Sequence, residues 1–200
     1  MTKLFDAVRR KDFGSFLSII DSIPPKKKMA YSTQTRSFGL KYPDLVTIMY
    51  KIYDPKNVQC ATMHILQLAA IVGDTAFAAI LVNMFPELLD CTNTYTVQYT
   101  PLHLAIAARN RKMIEFLVSR GASLQGSLGI AVNAYKNDTT VVDFLIEKGA
   151  KINETHGKNK GSPIIYARSN AMVEHLIRRG SRVNLKDTFG WTAFVAYTHG

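Results

Sequence analysis

Apolar residues in the second half of the chain return at helical spacing in three stretches, residues 113–125, 141–153 and 172–184, which share one thirteen-residue pattern. In the first, Met113, Ile114, Leu117 and Val118 fall at intervals that place them on one side of a helix, so a single stripe can face a neighbour. Each stripe is followed at the same place by glycine: Gly121, Gly149 and Gly180. This predicts a helix that ends in a left-handed residue, a conformation that costs little without a Cβ. Arg120, Lys148 and the pair Arg178 and Arg179 occupy the last turn, where the negative end of the helix dipole favours cations. A short extended run then leads to a turn at Gln125, Asn153 or Asn184. The copies start 28 and 31 residues apart. That period predicts a stacked array, in which no unit buries its apolar face alone and neighbours supply one another's core.

The opening of a unit is sharpest at Thr100, Pro101, Leu102, His103, Leu104 and Ala105. Threonine can cap the first amides, and proline one position later loses no hydrogen bond, since that amide has no acceptor within the helix. His103, one turn in, comes within reach of the backbone or of the capping threonine. Together with Phe116, Leu117, Val118, Gly121 and Ala122, these residues resemble an ankyrin repeat. Ser162, Pro163, Ile164, Ile165, Tyr166 and Ala167 resemble the same opening with serine for threonine and no histidine, and residues 187–192 resemble the hairpin leading into another unit. The resemblance implies an all-α fold, an α-solenoid of helix pairs joined by short hairpin turns. It also implies that the chain binds other proteins through its hairpin tips and the concave groove of its first helices.

Two departures from the pattern predict irregular stacking. The stretch from Ser162 to Gly180 is three residues shorter than that from Thr100 to Gly121, so one helix loses most of a turn. Residues 126–140 lack the opening box, and Gly126 and Gly129 each lower helix propensity by roughly 1 kcal/mol. Divergent repeats with a non-repeat insertion are similar in style to the ankyrin effectors that intracellular bacterial pathogens and large viruses deliver into host cells. An ordinary adaptor is the plainer alternative.

Upstream, residues 64–70, a turn at Gly73 and Asp74, and residues 77–82 repeat the two-helix pattern. Leu4, Phe5 and Val8, then Phe16, Ile19 and Ile20, predict a further pair that serves as an N-terminal cap with its polar face outward. Residues 23–28 and 31–41 read as loop. Residues 44–53, with Leu45, Val46, Ile48, Met49 and Ile52, predict a helix ending near Asp54 and Pro55. Residues 1–60 are therefore expected to hold capping helices and an insertion, and residues 61–200 the repeats, the last one incomplete. Because residues 190–196 begin a first helix and no second helix is predicted before Gly200, apolar surface is expected to stand open there. A longer chain, a partner or a neighbouring domain would cover it. The alternative function is accordingly a substrate-targeting module of a longer enzyme whose catalytic domain lies beyond residue 200.

With 47 % hydrophobic residues and seven prolines, the 200-residue chain can bury one sizeable elongated core. No apolar run approaches the roughly 18 residues of a membrane span, and the first ten residues lack the apolar core of a secretory signal. Cys60 and Cys91 stand alone, which suits a reducing compartment. Cytoplasm or nucleus is the expected place of action, or a host cell reached without a classical signal peptide. The net charge of +10 is uneven: eleven Lys and Arg against five Asp and Glu in residues 1–60, one against three in 61–110, thirteen against seven in 111–200. Most of these cations fall at helix ends and outer faces. Solvated charge is the first reading, an acidic protein partner the second, and nucleic acid the least favoured.

Catalysis is not expected, nor any cofactor or metal. His103 has no nucleophile or carboxylate partner at a motif spacing, and the five histidines form no His-x-x-x-His pair. Residues 157–161 are glycine-rich but lack the lysine-serine or lysine-threonine ending of a phosphate loop. The three lysines after Pro25 resemble a short nuclear import signal, though such a run is common in loops. The candidate partner-binding residues sit where hairpins project: Tyr95, Val97 and Tyr99, then Lys158, Asn159 and Lys160, then Phe189 and Trp191. Ala108 and Arg109, at the end of the best first helix, would border the groove, with small side chains leaving room for a partner. Packing between repeats is the competing role for the aromatic residues.

Overall fold

The computed structural model of the chain describes Arg10, Ser15, Ser18 and residues 47–54, 57–92 and 99–198. The chain divides into two compact units, Met1–Leu104 and Ala105–Gly200. The helix pair expected over residues 4–20, the loops up to residue 41, and Tyr95 and Val97 lie outside the described residues, save Arg10, Ser15 and Ser18.

In the first unit, β1 (Thr47–Asp54) pairs antiparallel with β2 (Asn57–His64), Thr47 opposite His64 and Asp54 opposite Asn57. The helix expected over residues 44–53 is therefore a strand. Thr47, Ile48, Tyr50, Ile52 and Tyr53 are β-branched or aromatic, types that favour a pleated surface, and the apolar spacing of so short a run does not distinguish helix from strand. Among the described residues the hairpin is followed directly by helices.

Two helices follow, α1 (Ile65–Val72) and α2 (Thr75–Met84), with Leu66, Ala69, Ala70, Phe77, Ala78 and Leu81 buried. The Asp74 carboxylate accepts from the Phe77 amide at 3.0 Å and caps α2. A 3-10 helix, Pro86–Asp90, leads to the buried Cys91. Burial, with the neighbouring Asp90 charge adding, pushes the Cys91 thiol far above its ordinary range. Inside α1, Gln67 is fully buried, and its Nε2 donates to the carbonyls of Tyr99 at 2.6 Å and Cys91 at 3.4 Å. One side chain thus ties down both ends of the segment between residues 91 and 99.

The expected cap at Thr100 is present. Its Oγ1 accepts from the His103 amide at 3.3 Å, and His103 Nδ1 accepts from the Thr100 amide at 3.2 Å. The helix so started, α3 (Pro101–Ala107), carries the boundary between the two units.

The second unit contains α4 (Arg111–Ser119), α5 (Ser127–Ala134), α6 (Thr140–Glu147), a 3-10 helix at Pro163–Tyr166, α7 (Asn170–Arg178) and α8 (Ala193–Thr198). The 3-10 helix packs on α5, and α8 packs on the 3-10 helix, so the first elements of successive repeats form one row. The second helices form another row. The Arg111 guanidinium lies over the Phe144 ring at 4.7 Å, joining α4 to α6. The Asp143 carboxylate, on α6, meets His175 Nε2 and Arg179 Nε, each at 2.9 Å. The stripe predicted from the thirteen-residue pattern is the core: Met113, Ile114, Leu117, Val141, Val142, Leu145, Met172 and Leu176 are buried.

Each second helix stops in the same way. The amides of Ala122, Ala150 and Ser181 donate back to the carbonyls of Leu117, Leu145 and Leu176, around Gly121, Gly149 and Gly180 at φ of 87°, 101° and 93°. Only with a left-handed residue at that point do these last carbonyls find their donors. The short unit resolves as expected, its first helix reduced to the four-residue 3-10 turn. Helix α5 forms despite its glycines, because close neighbours use the missing side chains. The His156 ring occupies the space a Cβ on Gly126 would take, and the Tyr166 ring lies within 3.4 Å of that on Gly129.

Replacing Asp143 by alanine is expected to lower stability by about 1 kcal/mol, because it leaves His175 and Arg179 without their shared acceptor. Alanine at the exposed Glu115 should change stability by less than half of that, both read from urea unfolding. In a Cys60→Ser variant, Cys91 should resist maleimide at pH 8 in the folded protein and react once the chain is unfolded. Fast labelling of the folded chain would contradict its burial.

Candidate interaction surface

Two hairpin tips in the second unit carry five of the candidate residues. At the first, the His156 amide donates to the Gly161 carbonyl at 3.2 Å, and the Lys160 amide to the Gly157 carbonyl at 3.2 Å. Gly157 and Lys160 both take left-handed backbone, with φ of 77° and 47°. This tight closure leaves Lys158, Asn159 and Lys160 exposed. At the second tip the Asp187 carboxylate accepts from the amides of Phe189 at 2.8 Å and Trp191 at 2.9 Å, and the Asp187 amide donates to the Trp191 carbonyl. Asp187 thus folds the loop around itself. Phe189 and Trp191 stand exposed with ring centroids 6.5 Å apart.

The tips are joined. The Thr188 amide donates to the Asn159 carbonyl at 2.9 Å, bringing the lysine-bearing loop beside the aromatic one. At its base the first tip is anchored on α5, where the His156 ring lies against Gly126, the residue before that helix.

Ala108 and Arg109 stand elsewhere. Ala108 is exposed just past α3, and Arg109, left-handed at φ 56°, lays its guanidinium 5.1 Å from the centre of the Tyr135 ring. Tyr135 closes the C-terminal end of α5, whereas the first tip is anchored at its N-terminal end. The eight residues between are about 12 Å of helix, so Arg109 and the tips do not form one contiguous patch. Tyr99 belongs to the first unit. It is half-buried, its carbonyl held by Gln67 and its ring edge-on to His103 at 6.2 Å.

Several cations are engaged inside the fold. Arg109 covers Tyr135, Arg111 bonds Glu115 at 2.6 Å and covers Phe144, and Arg179 bonds Asp143. The buried Tyr135 hydroxyl has no hydrogen-bond partner, and burial raises its phenol above the ordinary range while Arg109 opposes that shift. Hydrogen bonds from the Thr140 hydroxyl and amide hold the Asp138 carboxyl below the usual carboxylate range.

What the joined tips offer is adhesion: two rings that can cover apolar groups and two ammonium groups that can meet carboxylates. Among the described residues no three or more His, Cys, Asp or Glu side chains gather as a metal site would require, and no helix is long and apolar enough to cross a membrane. Reasoning from sequence missed the Asp143, His175 and Arg179 cluster, although its signal was an acid in one copy of the pattern and a histidine and an arginine in the next. It also missed Gln67, whose signal was one amide within an apolar helix.

A family model described as ankyrin repeats (3 copies) matches residues 37–126. No curated protein matches the sequence. The similarity to ankyrin repeats covers 90 of the 200 residues, and helix pairing of the same kind is seen beyond the matched segment in α5 with α6 and in the 3-10 helix followed by α7.

Tyr135→Phe removes a buried hydroxyl that has no partner and keeps the ring under Arg109. The variant is expected to be as stable as the wild type, or up to about 1 kcal/mol more stable, in chemical unfolding. A clear loss of stability would mean that the hydroxyl is bonded in solution.

Proposed function

We propose that this chain, similar to ankyrin repeats over residues 37–126, is a scaffold that holds a partner protein through the joined hairpin tips of its second unit, with Ala108 and Arg109 as outlying contacts there and Tyr99 as a separate candidate contact of the first unit. Ankyrin repeats are in general protein-interaction modules. The observation that carries the reading is the bond from the Thr188 amide to the Asn159 carbonyl, which sets Lys158, Asn159 and Lys160 beside Phe189 and Trp191. Large rings on a well-ordered backbone supply contact area at low entropic cost, and such residues dominate interface energetics. Flanking lysines favour a partner with acidic groups around an apolar anchor and speed its approach.

The setting belongs to the same proposal. Action in the cytoplasm or nucleus is supported by the free Cys91 thiol. An effector role in a host cell is supported by the irregular units, the shortened first helix at Pro163–Tyr166 and the strand pair of Thr47–Asp54 with Asn57–His64 among them.

The test is affinity capture from eukaryotic lysate at about 150 mM salt, identification of the retained protein, and measurement of its affinity for the wild type and two folded variants. Phe189→Ala with Trp191→Ala should weaken binding by tenfold or more, and Lys158→Ala with Lys160→Ala by less, with a larger loss of association rate than of complex lifetime. Recovery only of nucleic acid, with affinity falling steeply as salt rises, would overturn the reading.

A further inference from the structure

Three consecutive repeats of the second unit each place one cation at the same point. Arg109, Lys136 and Arg168 stand two residues past the ends of α3, α5 and the 3-10 helix, in the turns that lead to α4, α6 and α7. All three are exposed, and among the described residues none is in an ion pair. Their turns touch. The Arg109 guanidinium lies over the ring of Tyr135, the residue before Lys136, and the Lys136 carbonyl accepts from the hydroxyl of Ser169, the residue after Arg168, at 2.6 Å. Arg111 and Lys112 open α4 beside Arg109. Among residues 107–112, 135–140 and 167–171 the one acid is Asp138, whose carboxylate is turned onto the amide and hydroxyl of Thr140. Helix stability does not explain the set. Arg168 follows a turn of only four residues, which has little dipole, and Arg111 and Lys112 occupy the first turn of α4, where the positive end of the dipole repels cations. Nor does the backbone ask for Arg109. At φ 56° it stands just before the capping Asn110, as Gly73 at φ 78° stands before the capping Asp74, although a Cβ makes this conformation costlier than it is for glycine.

We propose that this row of cations receives an extended acidic segment of a partner protein, with a carboxylate on about every third residue. Spacing selects the conformation. Elements packed side by side lie about 8–10 Å apart and an extended chain advances about 3.3 Å per residue, so every third side chain meets the next repeat. Nucleic acid fits less well. A duplex carries one charge per roughly 1.7 Å of axis, far denser than this row, and single strands are held by stacking on exposed rings, whereas the one ring of these turns, Tyr135, is buried. A membrane surface fits less well too, because no large apolar residue is exposed in them. The local field suits a carboxylate: bonds from Thr140, aided by the charges of Arg109 and Arg111, hold the Asp138 carboxyl below its usual range. Exposed ion pairs are weak one by one, so the row adds affinity and steering and leaves discrimination to the tips. It lies at the other end of α5 from the anchor of the joined tips and does not depend on them.

The test is a nuclear magnetic resonance titration of the full, isotope-labelled chain at about 25 mM salt, where screening is slight. The probe is a peptide of about five Glu-Pro-Ser units, which its prolines keep extended at roughly 3.1 Å per residue. Amide shifts should move at residues 109, 136 and 168 and their neighbours. A peptide of the same composition with its glutamates gathered in one block should bind there about fivefold more weakly. Lys136→Ala with Arg168→Ala should weaken the spaced peptide by about fivefold, and adding Arg109→Gly should bring the loss to about tenfold. Glycine at 109 accepts the left-handed backbone, and the other two side chains are exposed, so the fold is retained, which circular dichroism checks. Lys158→Ala with Lys160→Ala should leave binding at the row unchanged. Equal affinity for the two peptides, shifts confined to residues 158–160, no shifts at all, or indifference to the Lys136 and Arg168 changes would overturn the proposal. So would a single-stranded oligonucleotide of equal charge that binds the row more tightly than the spaced peptide, since the row would then serve nucleic acid. Lys136 and Arg168 take no part in the scaffold reading, so failure here with the tips still holding a partner would leave that reading standing, and the reverse result would leave this one.

Discussion

Everything in the second unit depends on helices too short to persist alone. A helix of eight or nine residues is marginal in water, because nucleation fixes several residues for each early hydrogen bond. Helices α4, α6 and α7 are of that length, and they hold because Met113, Ile114, Leu117, Val141, Val142, Leu145, Met172 and Leu176 are covered by the elements beside them. Each fully buried side chain of this size contributes about 1.5–3 kcal/mol. Local signals then set direction. Asn110 and Ser169 cap the amides of Met113 and Met172, and the glycine turns send the backbone onward at the other end. Ser169 also donates to the Lys136 carbonyl at 2.6 Å, so one hydroxyl both starts α7 and fixes it to the preceding repeat.

Irregular units are accommodated by contacts rather than by longer helices. Tyr166, in the 3-10 turn that replaces a full first helix, lies against Gly129, and its hydroxyl fills the space a Cβ on Gly161 would need. Gly129 within α5 admits the Tyr166 ring, and Gly126 just before the helix admits the ring of His156.

Where backbone chemistry is local, the sequence was legible. Thr100, Pro101 and His103 specify a helix start within four residues, and Gly121, Gly149 and Gly180 specify helix ends, so neither needed knowledge of the rest of the fold. The strands at Thr47–Asp54 and Asn57–His64 were not legible, because pairing chooses between helix and strand for a short apolar run and the partner strand is not visible in local spacing. The candidate site was half legible. Sequence placed Lys158, Asn159, Lys160, Phe189 and Trp191 on hairpin tips, but that two tips touch depends on one backbone bond between residues 29 apart. The distance of Arg109 from those tips follows from the length of α5, which Gly129 within it and Gly126 before it made hard to foresee.

Formal charge describes this surface poorly, and the reason bears on recognition. Arg109, Arg111 and Arg120 lie over the rings of Tyr135, Phe144 and Phe116, and Arg179 bonds Asp143, so these cations stabilise the fold and are partly withdrawn from long-range steering. Lys158 and Lys160, by contrast, project from a loop whose backbone is already closed by two hydrogen bonds. The neighbouring aromatic loop is fixed by four hydrogen bonds to Asp187. A partner meeting these tips encounters an ordered backbone and loses mainly side-chain freedom, roughly 0.5–1.5 kcal/mol for each long side chain held. That cost is small beside what burying two exposed rings contributes, and it is the physical ground on which the tips, and not the more numerous arginines, are proposed as the surface that discriminates between partners.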